Sequence, residues 1–156
     1  MDSEVNNELP AFEARVVEVV GESESVGAAL GKAVELLVEA LPMASWWGVY
    51  LLEGEMLVLG PYRGAATEHT RIPVGVGVCG MAVATGKNQL VEDVRTLDNY
   101  LACSISTRSE LVVLVRSAGR IWGQLDFDSD RPGAFGPREE AVAQVVADAL
   151  ARRFEA

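Results

Sequence analysis

Two cysteines and a group of carboxylates carry most of the chemistry this sequence offers. Cys103 stands in Leu101-Ala102-Cys103-Ser104-Ile105-Ser106, which has the pattern of neither helix nor strand. Cys79 stands in Gly75-Val76-Gly77-Val78-Cys79-Gly80, at the expected start of a short helix. A thiol becomes a nucleophile when nearby donors stabilise its thiolate and a reaction partner can reach it; the backbone N–H groups of a helix start are such donors. Cysteines are also small buried hydrophobes, so the residue types alone leave both roles open. Asp126 and Asp128 alternate along Leu125-Asp126-Phe127-Asp128, and a strand's period of two sets both carboxylates on one sheet face. Glu110 begins the preceding strand and can approach the same face. Crowded carboxylates raise the pKa of at least one member, which would give a proton donor beside ionised partners. Which acid does which job stays open, and for any single acid a solvated strand end is the competing reading. Trp46 and Tyr50, four apart on an earlier strand, also share a face and serve either the core or a ligand. Trp47 points the other way and is the better core candidate. His69 lies in a polar loop and reads as a surface residue. Two Cys and one His are too few soft ligands for a closed zinc site, so no metal is expected.

The elements that must position these groups follow from periodicity. Leu9, Phe12, Val16 and Val19 share one face of a helix over 9–20, which Gly21 ends. Ser25 can cap a second helix from Val26 to about Leu41, where Leu30, Val34, Leu37 and Leu41 repeat at helical spacing before Pro42. Trp46–Leu52 and Met56–Leu59 read as a hairpin about Glu53-Gly54-Glu55. The Gly- and Pro-punctuated segment 60–80 reads as long and irregular, followed by a short helix over 81–85 and a short strand over 89–91. After a loop-rich stretch over 92–109, Glu110–Arg116 and Ile121–Asp128 form a second hairpin about Ser117-Ala118-Gly119-Arg120. A last helix runs from Pro137 to Phe154, with Pro137 suited to its first turn. Consecutive hairpins predict an α+β fold: an antiparallel sheet with the terminal helices on one face and loops covering the other. Long loops over a rigid sheet are where binding sites usually sit.

With 156 residues, no linker and no internal repeat, residues 1–156 are expected to form one domain. The net charge of −10 argues against nucleic acid or an anionic membrane as partner. No apolar run approaches the ~20 residues that span a bilayer. The acidic start MDSEVNNELP lacks the basic and apolar regions of a signal peptide, so a cytoplasmic location is expected. In that reducing setting an even count of two cysteines does not imply a structural disulfide, and any role they have is of the metal or redox kind.

Taken together, the sequence resembles the free methionine-R-sulfoxide reductases, a family of GAF domains. The resemblance runs through Trp46-Trp47-Gly48-Val49-Tyr50, Gly77-Val78-Cys79-Gly80, Val91-Glu92-Asp93-Val94, Leu101-Ala102-Cys103, Ser109-Glu110-Leu111-Val112-Val113 and Gly123-Gln124-Leu125-Asp126-Phe127-Asp128. It implies a pocket for one amino acid, in which Cys103 attacks the sulfoxide sulfur and is left as a sulfenic acid. A second thiol would condense with it to a disulfide that an external dithiol such as thioredoxin reduces, with no bound cofactor. Glu110, Asp126 and Asp128 would supply a proton for the sulfoxide oxygen and negative charge for the substrate ammonium. Trp46 and Tyr50 would pack the substrate's side chain, and backbone N–H groups around Leu101, Ala102 and Cys103 would hold its carboxylate. Many relatives carry a third cysteine ten residues before the Gly-Val-Cys-Gly cysteine, where this chain has His69; recycling would then fall to Cys79 or to an external thiol. Ser104 and Leu114 also differ from residues common in the family. Homodimerisation, common in the GAF fold, would use the terminal helices. The alternative is a non-catalytic GAF sensor that binds a small ligand and acts through a protein partner.

Overall fold

A computed structural model describes residues 2–97 and 106–155, and from residue 8 onward within the first helix it describes side chains as well. The element order is α1 (Asp2–Gly21), α2 (Val26–Ala40), β1 (Trp46–Glu53), β2 (Met56–Arg63), β3 (Arg71–Pro73), α3 (Gly77–Thr85), β4 (Gln89–Val91), a 3₁₀ turn (Val94–Thr96), β5 (Ser109–Ser117), β6 (Arg120–Ser129) and α4 (Pro137–Glu155). The strands form one six-stranded sheet in the order β3-β2-β1-β6-β5-β4, with every neighbouring pair antiparallel.

Two hairpins build the centre of that sheet. In the second, Ser117 faces Arg120 across a two-residue turn in which Ala118 (φ 50°) and Gly119 (φ 79°) are both left-handed. This is the turn whose twist matches that of paired strands, and a register irregularity between Val115 and Arg116 then offsets the pairing by one residue, so that Val115 faces Gly123. Cross-strand partners share a face, so the sheet has two distinct sides. Val49 on β1, Leu125 and Phe127 on β6, and Leu111, Val113 and Val115 on β5 face the helices. They pack against Val16 and Val20 of α1, Leu30, Val34 and Leu37 of α2, and Val146 and Leu150 of α4. Ser25 caps α2 by accepting from the Ala28 amide at 3.0 Å. The terminal helices therefore lie on one face, as the patterning predicts.

Three boundaries differ from the sequence reading. The apolar stripe begins near Leu9, yet α1 starts at Asp2 and runs through Pro10. The segment over 60–80 is less irregular than its glycines and prolines suggest. β2 continues to Arg63, with a register irregularity opposite Val49 that admits Gly60 and Pro61 into the strand. α3 begins at Gly77 rather than near residue 81, and Gly80 lets it close onto β3: a Cβ there would sit 2.6 Å from the Pro73 carbonyl oxygen.

Candidate active site

The second face of the sheet carries the polar residues. The register pairs Trp46 with Asp128, Gly48 with Asp126 and Tyr50 with Gln124 across β1 and β6. It pairs Glu110 with Asp128, Val112 with Asp126 and Leu114 with Gln124 across β6 and β5. The three acids that the sequence pattern singles out thus converge, and all are buried: Glu110 is 2 % exposed, Asp126 0 % and Asp128 1 %. α3 lies over this face, with Val78, Cys79 and Ala82 packed on Val112, Leu114, Trp46 and Tyr50 in a second apolar cluster. A helix as well as loops covers the face, and Cys79 is in its first turn.

Cys79 is buried, and its Sγ lies 3.8 Å from Oε2 of Glu110. Burial pushes the Glu110 carboxyl well above the ordinary value of 4.5, and the neighbouring Asp126 and Asp128 charges and hydrogen bonds push it the same way. Glu110 accordingly holds its proton where an exposed glutamate has lost it. Cys79, Glu110 and Asp126 bring one donor atom each within 4.8 Å of one another, close enough to share one cation. A proton on Glu110 and a cation would compete for that space.

Trp46 and Tyr50 wall the acids on the β1 side. The Trp46 indole folds over the backbone of Gly48, where a Cβ would lie 2.2 Å from the ring. Trp46 Nε1 donates to the Ala65 carbonyl at 3.1 Å, and the ring stacks on Tyr62 with centroids 5.6 Å apart. The Tyr50 hydroxyl donates to the His69 carbonyl at 2.8 Å. His69 is half-buried and holds Tyr50 through its backbone, a role that a surface loop residue does not suggest. Trp46, not Trp47, is the more deeply buried indole; Trp47 is half-buried on the helix side and donates to the Leu41 carbonyl at 3.0 Å.

Leu101, Ala102 and Cys103 lie outside the described residues. Their flanks are braced: Arg108 and Asp93 form an ion pair at 3.0 Å. The Arg108 hydrogen bond, aided by the Arg95 amide, holds the Asp93 carboxyl below its ordinary value. At the far end of β5, the Leu114 amide donates to Asn88 Oδ1 at 2.8 Å, a bond a proline could not make. A surface cavity of about 670 Å³ lies against α1 and α2, away from the buried acids, and is lined by exposed charges such as Arg15, Glu35 and Glu39.

One residue of this face escapes the sequence reading. Gln124 is 0 % exposed, and neither its Nε2 nor its Oε1 has a hydrogen-bond partner. The visible signal was its place two residues before Asp126 in the same alternation.

This arrangement, a curled antiparallel sheet with helices behind it and a covered polar face, belongs to the GAF domains, and the GAF family model matches residues 25–154. Within that family the chain belongs to the free methionine-R-sulfoxide reductases. It is 43% identical over 121 residues to the free methionine-R-sulfoxide reductase of Escherichia coli, covering 77% of this chain and 73% of that protein. The Neisseria meningitidis free methionine-R-sulfoxide reductase, solved in complex with its substrate, superposes with a TM-score of 0.87 at 36% identity. That match covers 94% of this chain and 88% of the other. The type II free methionine-R-sulfoxide reductase of Thermoplasma acidophilum superposes with a TM-score of 0.78 at 37% identity, covering 82% of this chain and 91% of its own.

Proposed function

We propose that this chain reduces free L-methionine (R)-S-oxide to methionine. The observation that best supports the reading is Glu110 buried on one face with two aspartates, 3.8 Å from the Cys79 sulfur, where desolvation and the neighbouring acids favour its protonated form; sulfoxide oxygen leaves only once protonated. Cys103 attacks the sulfoxide sulfur as a thiolate while Glu110 gives its proton to the oxygen. The oxygen passes to the cysteine, methionine departs, and two electrons have moved from the Cys103 sulfur, which becomes a sulfenic acid. Asp126 supplies negative charge for the substrate ammonium, Asp128 stands opposite Glu110 toward the sulfoxide, and Trp46 and Tyr50 pack the substrate's methyl and methylene groups. Backbone N–H groups around Leu101, Ala102 and Cys103 take the substrate carboxylate.

Cys79 then condenses with the sulfenic acid, forming the S–S bond and releasing water. A thioredoxin-like dithiol restores both thiols by exchange, and no bound cofactor takes part. A pocket that holds a free ammonium and a free carboxylate excludes methionine sulfoxide within a polypeptide.

The reading is tested by incubating the reduced protein with dithiothreitol and separate R and S epimers of free methionine sulfoxide. Methionine from the R epimer alone is the expected result. Methionine from neither epimer, with tight binding of a small ligand retained, favours a sensor instead.

A further inference from the structure

Gln124 is a polar side chain in an expensive position. Its amide is wholly buried on the same sheet face as the three acids, and neither end of it is hydrogen-bonded. A buried amide without partners costs free energy that an apolar side chain of the same shape would not. Its neighbours in register are Tyr50 on β1 and Leu114 on β5, and neither meets the need. The Tyr50 hydroxyl donates to the His69 carbonyl, and Leu114 is apolar. Two residues further along β6 stands Asp126, on the same face and about 7 Å away along the strand.

The two orphaned atoms ask for different things. Nε2 needs an acceptor and Oε1 needs a donor. A sulfoxide oxygen supplies an acceptor only. The α-carbon end of a free amino acid supplies both within one group, a carboxylate acceptor and an ammonium donor.

We infer that Gln124 is a substrate-binding residue that recognises the zwitterionic end of the amino acid, accepting from the ammonium through Oε1 and donating to the carboxylate through Nε2. The ammonium then lies between Gln124 and Asp126, and the sulfoxide end points toward Glu110, Asp128 and Cys79. A neutral amide suits this place, because a fourth carboxylate would repel the substrate carboxylate and a cation would neutralise the acids. This assignment rests on the proposed amino-acid pocket and adds a determinant of selectivity for the free amino acid.

The test replaces the amide by a near-isosteric apolar side chain, Gln124→Met, with Gln124→Leu as a second variant should Met misfold. Dissociation constants for methionine (R)-sulfoxide and for methionine are measured by calorimetry, beside kcat, KM and the melting temperature of the ligand-free protein. Both ligands should weaken by about the same factor, roughly 10-fold or more, because both carry the zwitterion and one hydrogen bond to a charged group is of that order. The kcat should stay within a few-fold, and the ligand-free variant should melt at a higher temperature than the wild type.

Unchanged affinity for both ligands overturns the inference. Weakening confined to the sulfoxide also overturns it and moves Gln124 to the sulfoxide oxygen. A wild-type protein that binds and reduces no methionine sulfoxide defeats the reductase reading itself, and the assignment falls with it. An active wild type with an unaffected variant defeats the assignment alone.

Discussion

Glu110→Gln separates the proton of this site from its shape. The amide keeps the size of the side chain but carries no transferable proton, so kcat for methionine sulfoxide should fall about 10²–10⁴-fold, the usual contribution of a positioned general acid. The same substitution has a second, independent readout. Folded Glu110 keeps its proton above 4.5 because burial and two neighbouring aspartates oppose its ionisation, whereas the unfolded chain releases it near that value. The folded state therefore binds the extra proton, and its stability falls as pH rises from about 4.5 toward the folded pKa. One proton in that window is worth about 1.4 kcal/mol per pH unit. The glutamine variant lacks this loss, so its melting temperature relative to wild type should climb by about 3–5 °C per pH unit for a domain of this size. Scanning calorimetry of both proteins between pH 5 and 7 measures the slope. A melting difference that is flat with pH would show that Glu110 does not retain its proton. A kcat within tenfold of wild type would remove it from catalysis.

Four further outcomes follow from the proposed reaction and the geometry of the site. Cys103→Ser should abolish reduction, whereas Cys79→Ser should yield one methionine per protein in a quenched single turnover and then stall with thioredoxin as reductant. Asp126→Asn should raise KM about 10–100-fold, the scale of one hydrogen bond to a charged group, with a smaller change in kcat. Gly48→Ala places a methyl 2.2 Å from the Trp46 ring. It should cost about 1–3 kcal/mol in denaturant unfolding and raise KM, because the displaced indole no longer walls the acids.

Much of this fold was legible because its elements obey a single period each. The apolar stripe of α2 and its Ser25 cap, both hairpins and α4 appear where the patterning sets them. The three acids were legible for the same reason, since alternation alone places Asp126 and Asp128 on one face and the second hairpin brings Glu110 beside them. What escaped had opposite causes. Gly60 and Pro61 read as loop punctuation, yet a register irregularity opposite Val49 takes them into β2, where the unpaired geometry suits a residue without an N–H. Gly75, Gly77 and Gly80 looked like loop composition, but Gly80 is the contact that lets α3 lie against β3. Gln124 was overlooked because amides are ordinary surface residues; only its complete burial without partners marks it.

The register of β6 ties the core and the candidate site together. Leu125 and Phe127 serve the helix-packed core, while Gln124, Asp126 and Asp128 occupy the intervening positions on the other face. A one-residue slip of β6 would send the acids among the leucines and valines of α2 and α4 and turn Phe127 toward Cys79. Burial of two side chains on one face therefore fixes where three polar ones point on the other. The Ala118–Gly119 turn closes the β5–β6 hairpin, and the one-residue irregularity at Val115/Arg116, which sets Val115 opposite Gly123, completes the register that orients the acids. The helix-facing core can in this way hold polar groups that would not choose burial themselves. Three clustered acids and an unpartnered amide stay desolvated because Leu125 and Phe127 cannot leave, and that enforced desolvation keeps the proton on Glu110.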